Sequence, residues 1–359
     1  MTKDKLYSLL IAPTISIKES MQKLGETQEK ILFVVDDNSR LLGTVNDGDI
    51  RRGLIRGFGF TDSVRNVMHT SFSSVLQDAL DVTQISKQLM ADRKIEQIPV
   101  LDSEGIIVDV ILWTDVLGTP KSPEKRESYS NQIVIMAGGK GTRLDPFTRI
   151  LPKPLIPVGN KPVIEHIMTS FYRRGFDRFI YTLNYKKEYL KLFLRENDFS
   201  YSIDWVEEKD YLGTAGSLGL LKEMINETFF VINCDSLTDM DFAKLLHWHK
   251  KEGAAITVVG CHNEVKIPYG VLEISNGELA TIHEKPVHDV IVNTGLYVME
   301  PGVLAYVETG ERLDMDELLK KVGSEEKICV YPIYSGWIDI GQLEEYKKTL
   351  RMLEALEDV

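Results

Sequence analysis

The run QIVIMAGGKGTRL, residues 132–144, passes from a short apolar stretch directly into a loop with glycine at 138, 139 and 141. An apolar run of this length, closed by glycine, reads as a buried strand feeding a tight turn. Downstream, helix-period segments are expected at 161–174, 187–195 and 217–224. An apolar strand follows each one: RFIYTLN (178–184), YSIDWVE (201–207) and FFVINCD (229–235). Such alternation predicts an α/β fold, a Rossmann-like and mostly parallel sheet covered by helices. Ligands of such sheets bind beyond the carboxyl ends of the strands.

Upstream of this run the chain repeats itself. ILFVVDDNSRLLGTVNDGDI (31–50) aligns without gaps on QIPVLDSEGIIVDVILWTDV (97–116), which sets Asp36 on Asp102 and Asp49 on Asp115. Each copy reads as strand, turn, strand and helix, after an amphipathic helix at 17–24 or 82–90. Neither copy is large enough to bury its own sheet, so an α+β pair is expected. The stretch GTPKSPEKRESYSN (118–131) has no apolar periodicity and reads as a linker. The predicted organisation is therefore a repeat pair at 1–118, a linker at 119–130 and an α/β domain at 131–359.

Composition narrows the function. A net charge of −12 argues against non-specific nucleic-acid binding, which needs clustered Lys and Arg. Three scattered cysteines, Cys234, Cys261 and Cys329, point to neither a disulfide framework nor a zinc site. No apolar run reaches membrane-spanning length, and the N-terminus is a poor signal peptide. A soluble cytoplasmic protein with no membrane partner is the expectation. His247 and His249 lie two apart in a helical stretch and are expected at the surface rather than at a metal.

Read residue by residue, the chemistry is ambiguous. Gly138, Gly139 and Gly141, with Thr142 and Arg143, could cradle phosphate through backbone N–H groups and a guanidinium fork. A bare turn would look the same. The loop lacks the Gly-Lys-Ser/Thr of a P-loop and the third glycine of a dinucleotide site. Asp235 ends an apolar strand, where an Asp is also a common turn former.

The longer pattern decides. MAGGKGTRLDPFTRILPKPLIPVGNKPVIEHI (136–167) closely resembles the opening signature of the sugar-1-phosphate nucleotidyltransferases. VINCD (231–235), EKP (284–286), NTGLY (293–297) and WIDIG (337–341) follow in that family's order. The resemblance covers about residues 132–350, and Cys234 stands where the family usually has Gly. It implies an Mg²⁺-dependent enzyme joining an NTP to a sugar 1-phosphate with release of pyrophosphate. It also implies roles. Gly138, Gly139, Gly141 and Thr142 hold the nucleotide, and Arg143, Lys153 and Lys285 neutralise the reacting phosphates. Asp235 and Asp339 bind the metal, and Glu284 and Asn293 hold sugar hydroxyls. The nucleophile is already an anion, so the chemistry needs positioning and charge neutralisation rather than a strong base.

VEEKDYLGTAG (206–216) resembles the family's base-binding loop, with Glu208 at the base edge and Gly213 and Thr214 beside it. An ionised carboxylate only accepts hydrogen bonds, and guanine offers it two adjacent donors. GTP is the favoured nucleotide on that ground, within a guanylyltransferase-like branch. The repeat pair resembles CBS modules, with Asp49 and Asp115 at the ribose-binding position. The usual Ser or Thr three residues earlier is Asn46 in one copy and Leu112 in the other. The pair therefore has either an adenine nucleotide or a purely oligomerising role, and a homo-oligomer is expected. The fused arrangement resembles guanylyltransferases acting on glucosamine 1-phosphate in nonulosonic (legionaminic) acid pathways. Two alternatives stay open: a non-catalytic regulatory paralogue, and a transferase acting on another alcohol phosphate.

Overall fold

The structure, a computed structural model, describes residues 2–27, 29–79, 81–93, 95–113 and 128–357. Its residues divide into two compact units. The first takes the N-terminal part of the chain together with Glu264–Asp289, and the second takes the remainder. The sequence led us to expect 131–359 as one contiguous domain, so the grouping of Glu264–Asp289 with the first unit is a difference. Most of the expected linker, and Asp115, lie outside the described residues.

The first unit carries the repeat. Leu10–Ile11, Ile31–Val35 and Leu41–Asn46 form one three-stranded sheet, and Val75–Leu76, Gln97–Leu101 and Ile107–Leu112 form another. In each, the first pair is parallel and the second antiparallel. The register shift falls at Val34/Val35 in one and at Val100/Leu101 in the other, so the bulge is repeated as well. The hairpin turns exchange backbone bonds. Leu41 N–H donates to Gly105 O (3.0 Å) and Ile107 N–H to Ser39 O (3.2 Å). Leu9, Phe33, Leu101 and Val110 then bury together, so the two copies share a core, while Val75, Met90 and Ile98 form a smaller cluster within the second copy.

Helix starts in this unit are chemically marked. Ser16 and Glu19 form a capping box for Ile17–Glu26, and Asn46 and Asp49 form one for Asp47–Ile55. In the added segment, Val271–Ser275 pairs antiparallel with Glu278–His283. Asn276 and Gly277 between them have φ of 52° and 86°, as a tight Asn-Gly hairpin requires.

The second unit is built on a seven-stranded sheet. Its order is Ser202–Glu207, Arg178–Leu183, Ile133–Ala137, Phe229–Asn233, Val287–Met299, Ile256–Lys266 and Ile328–Ile333. The first four run parallel, Val287–Met299 is antiparallel to Phe229–Asn233, and the last two are parallel to each other. The mostly parallel α/β sheet expected from the sequence is therefore present. One face packs an aromatic cluster in which Phe171 and Phe242 stack 3.7 Å apart. The other buries Leu218, Leu221, Val303 and Leu318.

Two local expectations are corrected. The segment expected as an α-helix at 217–224 is a 3₁₀ helix, Gly216–Leu221. Gly216 and Gly219 are pressed against the backbone around Glu308 and Glu311, and that close approach holds the tighter turn. His249, expected at the surface, is fully buried. It shares the apolar face of Phe242–Glu252 with Leu245 and Leu246. Its ring contacts Thr257 Oγ1 (2.7 Å) and Glu300 Oε1 (3.1 Å), and burial holds its pKa below the usual imidazole value.

Candidate active site

The strand Ile133–Ala137 ends at Gly138, and from there the chain folds into the glycine loop. Gly138 leaves no room for a side chain, because a Cβ there would meet Glu208 Oε1 at 2.5 Å. Gly141 has φ of 66°, and a Cβ on it would meet Thr148 and Lys153. Thr148 Oγ1 donates to Gly141 O at 3.0 Å and fixes the turn. Gly139, Thr142 and Arg143 remain exposed. The loop thus presents a free face while its other face packs on the residues that follow it.

Beyond the neighbouring strand, Asp235 is 7% exposed, and its Oδ2 is ion-paired with Lys153 Nζ. The strands Ser236–Thr238 and Trp337–Asp339 pair antiparallel, with Ser236 opposite Asp339. This pairing brings two carboxylates from distant parts of the sequence together. A Cβ built on Gly341 would collide with Asp235 Oδ2 and would lie 2.7 Å from Asp339 Oδ1 and 3.2 Å from Lys153 Nζ. All three charged groups therefore converge on one glycine. Burial first, and then the charge of Asp235, push the Asp339 carboxyl above the usual aspartate range. The Gly341 N–H (2.7 Å), Lys153 and Arg143 oppose that shift. A close carboxylate pair in a half-buried setting calls for more cation than one lysine provides.

This cradle fits a hard divalent cation. Asp235 and Asp339 offer oxygen donors, as Mg²⁺ prefers, and the missing side chain at Gly341 leaves space against both. Among the described residues no cluster of three or more His, Cys, Asp or Glu forms, so a bound metal would complete its coordination from phosphates and water. Cys234 is buried in the core, and burial pushes its thiol up to about 12, so it is chemically quiet.

A polar network positions this pair: Ser236 falls outside the sequence motifs, and Trp337, Thr294 and Gly341 lie within them without a role implied by the resemblance. Trp337 Nε1 donates to Ser236 Oγ (2.8 Å) and lies 3.1 Å from Thr294 O, while Ser236 Oγ donates to Thr294 O (2.8 Å). Asn293 lies one residue from this network. Its Nδ2 donates to Tyr297 Oη (2.7 Å) and its Oδ1 accepts from Gly295 N–H (3.0 Å).

Glu208 is 3% exposed, which excludes an acidic surface turn. Its Oε2 accepts from Leu212 N–H (3.0 Å), and burial pushes its carboxyl above the usual range. Gly213 has φ of 81°, and a Cβ there would strike Leu313 O and Asp314 Oδ1, so the need for glycine is internal packing. Thr214 N–H donates to Asp314 Oδ1 (3.0 Å), and Thr214 Oγ1 accepts from Met315 N–H (2.8 Å) at the start of helix Met315–Gly323.

The remaining residues singled out from the sequence belong to the first unit. Lys285 is a non-glycine residue with φ of 46°, and its Nζ lies 3.8 Å from Glu284 Oε1. Such a backbone costs about 1–3 kcal/mol and tends to mark functional positions. Asp49 is buried, and its carboxylate is already engaged. Asn46 N–H donates to it at 3.0 Å, and Arg52 at 2.5 Å.

The glycine loop follows the parallel strand Ile133–Ala137, Asp235 follows the parallel strand Phe229–Asn233, and Asp339 ends the antiparallel strand that pairs with Ser236–Thr238, together a candidate site for phosphate and a divalent cation on an α/β sheet. The chain belongs to the nucleotidyl transferase family, whose model matches residues 132–355. A CBS domain model matches residues 1–56. The chain is 33% identical over 222 residues to the mannose-1-phosphate guanyltransferase of Yarrowia lipolytica, covering 59% of this chain and 61% of that protein. It is 31% identical to the UTP–glucose-1-phosphate uridylyltransferase of Synechocystis, covering 61% and 62%. The chain thus spans a little over three-fifths of the curated relatives it matches. The crystal structure of HddC from Yersinia pseudotuberculosis matches with a TM-score of 0.51 at 26% identity, over 62% of this chain and 99% of that one. A second HddC structure, complexed with GMP-PN, matches at 25% identity with a TM-score of 0.50 over the same shares. Among the described residues no helix is long and apolar enough to cross a membrane.

Proposed function

We propose that this protein joins a sugar 1-phosphate to a nucleoside triphosphate, with GTP preferred, giving a nucleotide sugar and pyrophosphate. The convergence of Asp235, Asp339 and Lys153 on the bare Cα of Gly341 carries the reading. Asp235 and Asp339 would hold Mg²⁺, which would supply charge neutralisation at the phosphates of the nucleotide. Lys153, ion-paired with Asp235, would supply a cation to the reacting phosphates, and Arg143 would add a second from the exposed end of the loop. Gly138, Gly139, Gly141 and Thr142 bring backbone N–H groups to the nucleotide phosphates. Glu284 and Asn293 take sugar hydroxyls, and Lys285 takes the sugar phosphate. The retained cations and carboxylates favour catalysis over a purely regulatory role. A soluble cytoplasmic homo-oligomer fits the reading, as does a role in making precursors for surface glycans or nonulosonic acids.

The base preference rests on Glu208. A buried carboxylate gains most from a partner with two adjacent donors, and guanine's N1–H and N2–H₂ supply them. Uracil offers one donor between two carbonyls, which repel a carboxylate. The relatives include a guanyltransferase and a uridylyltransferase, so the base must be measured. A bidentate pair discriminates by about 1–3 kcal/mol, roughly 5- to 150-fold in kcat/KM. Glutamine both donates and accepts, so Glu208→Gln should narrow the ratio of GTP to UTP with one accepted sugar phosphate. A wild-type preference for UTP, or an unchanged ratio in the variant, would sink the assignment.

A further inference from the structure

The segment Glu264–Asp289 leaves the seven-stranded sheet along Ile256–Lys266 and returns along Val287–Met299, two strands that are neighbours in that sheet. Between them it forms a narrow hairpin. Ile267 N–H donates to Pro286 O (3.0 Å) and Lys285 N–H to Tyr269 O (3.2 Å), so the paired backbone extends up to the Glu284-Lys285 turn. Leu272, Ile274, Leu279 and Ile282, which face one another across the hairpin's outer strands, are all exposed. A two-stranded ribbon without a buried face is marginally stable by itself, so its aim depends on how its base is held.

The base is held by a residue far away in sequence. Lys18 Nζ lies 2.8 Å from Glu264 on the outgoing strand and 2.8 Å from Asp289 on the returning strand. The two carboxylates alone would repel across the strands, as like charges do in a sheet. Lys18 bridges them, and these two contacts push its pKa above the usual lysine value. The lysine is itself anchored: its N–H donates to Phe60 O (3.0 Å), and the Ser16–Glu19 capping box fixes the start of its helix.

We propose that Lys18 is a positioning residue for sugar-phosphate binding: it clamps the two roots of the hairpin that carries Glu284 and Lys285, and so sets the aim of those two side chains. The proposal rests on the reading of Glu284 and Lys285 as sugar-phosphate ligands. It gives the N-terminal unit a defined mechanical role in the reaction, whatever ligand the arm does or does not bind.

The test uses the full-length enzyme and compares KM for the sugar 1-phosphate with KM for the NTP. Lys18→Met should raise KM for the sugar phosphate about three- to tenfold, the scale of a partly exposed ion-pair triad, and leave KM for the NTP within about twofold. Lys18→Arg keeps the charge and should restore the wild-type value. Glu264→Gln with Asp289→Asn in the Lys18→Met background removes the repulsion and should recover part of the loss, a result that mere misfolding of the arm would not give. Lys285→Ala is the control. If Lys285→Ala raises KM for the sugar phosphate and Lys18→Met does not, or if Lys18→Met raises both KM values equally, the positioning role is overturned and the hairpin reading stands. If Lys285→Ala leaves that KM unchanged, the hairpin reading falls, and the role of Lys18 falls with it.

Discussion

Gly341→Ala adds one methyl group at the point where three charged groups meet. The new Cβ would sit 2.7 Å from Asp339 Oδ1, 3.2 Å from Lys153 Nζ and closer still to Asp235 Oδ2. Non-bonded heavy atoms settle at about 3.5 Å, so each carboxylate must withdraw by roughly 0.5–1 Å. Gly341 is not in the left-handed region, so alanine meets no backbone strain there. The cost to stability is therefore that of local overpacking, about 1–3 kcal/mol, which lowers Tm by a few degrees in a unit of this size. The cost to catalysis is larger. Misplacing a reacting constellation by about 1 Å loses on the order of 100-fold in rate. We expect kcat to fall roughly 30- to 100-fold in a continuous pyrophosphate-release assay. Half-saturation by Mg²⁺ should rise, and the far-ultraviolet circular dichroism should stay unchanged. A variant with folded-state spectra and kcat within about threefold of wild type would refute the claim that these carboxylates define the reacting centre.

Two other predictions follow from burial and capping. Burial raises the Glu208 pKa, so its contribution to stability is complete below the unfolded carboxylate pKa and is lost as pH rises through the folded one. Glu208→Gln should therefore melt at a higher temperature than wild type at about pH 8, with the gap shrinking toward about pH 4; a gap that widens on acidification would contradict the burial argument. Asp49 serves as a capping-box residue and partner of Arg52, so Asp49→Ala should destabilise the protein by about 1 kcal/mol in chemical denaturation, with or without an adenine nucleotide. A loss seen only when the nucleotide is present would mean that ligand binding, rather than capping, is the residue's main task.

The repeat was legible because its pattern is local. An apolar strand, a polar turn and a second strand reappear about 66 residues later, and even the bulge at Val34/Val35 recurs at Val100/Leu101. The parallel sheet was legible for the same reason: each apolar strand is short and bounded by turn residues. The pairing of Asp235 with Asp339 was reachable only through family order, since about a hundred residues separate them and the antiparallel contact of Ser236 with Asp339 is tertiary. Glu208 sits in an acidic run that reads as a solvated turn, and only the missing side chain of Gly138 allows it to be buried. His249 looked exposed because polar and charged neighbours surround it in sequence, although its helical phase matches Leu245 and Leu246. Nothing in the local pattern of 264–289 shows that it groups with the N-terminal unit, because that grouping involves Lys18, a residue more than two hundred positions away.

The central claim is nucleotidyl transfer at a carboxylate-held metal, and its most direct measurement is pyrophosphate release. Wild type, Asp235→Asn and Asp339→Asn would each be given GTP, saturating Mg²⁺ and a panel of sugar 1-phosphates. Wild type should release pyrophosphate only when an accepted sugar phosphate is present, with one nucleotide sugar formed per pyrophosphate. Each variant should keep its fold and retain about 1% of that turnover or less, because it lacks one of the two carboxylates that would hold the cation neutralising the phosphates. Turnover in either variant close to wild type, or no release by wild type with any NTP and sugar-phosphate pair, would contradict the account.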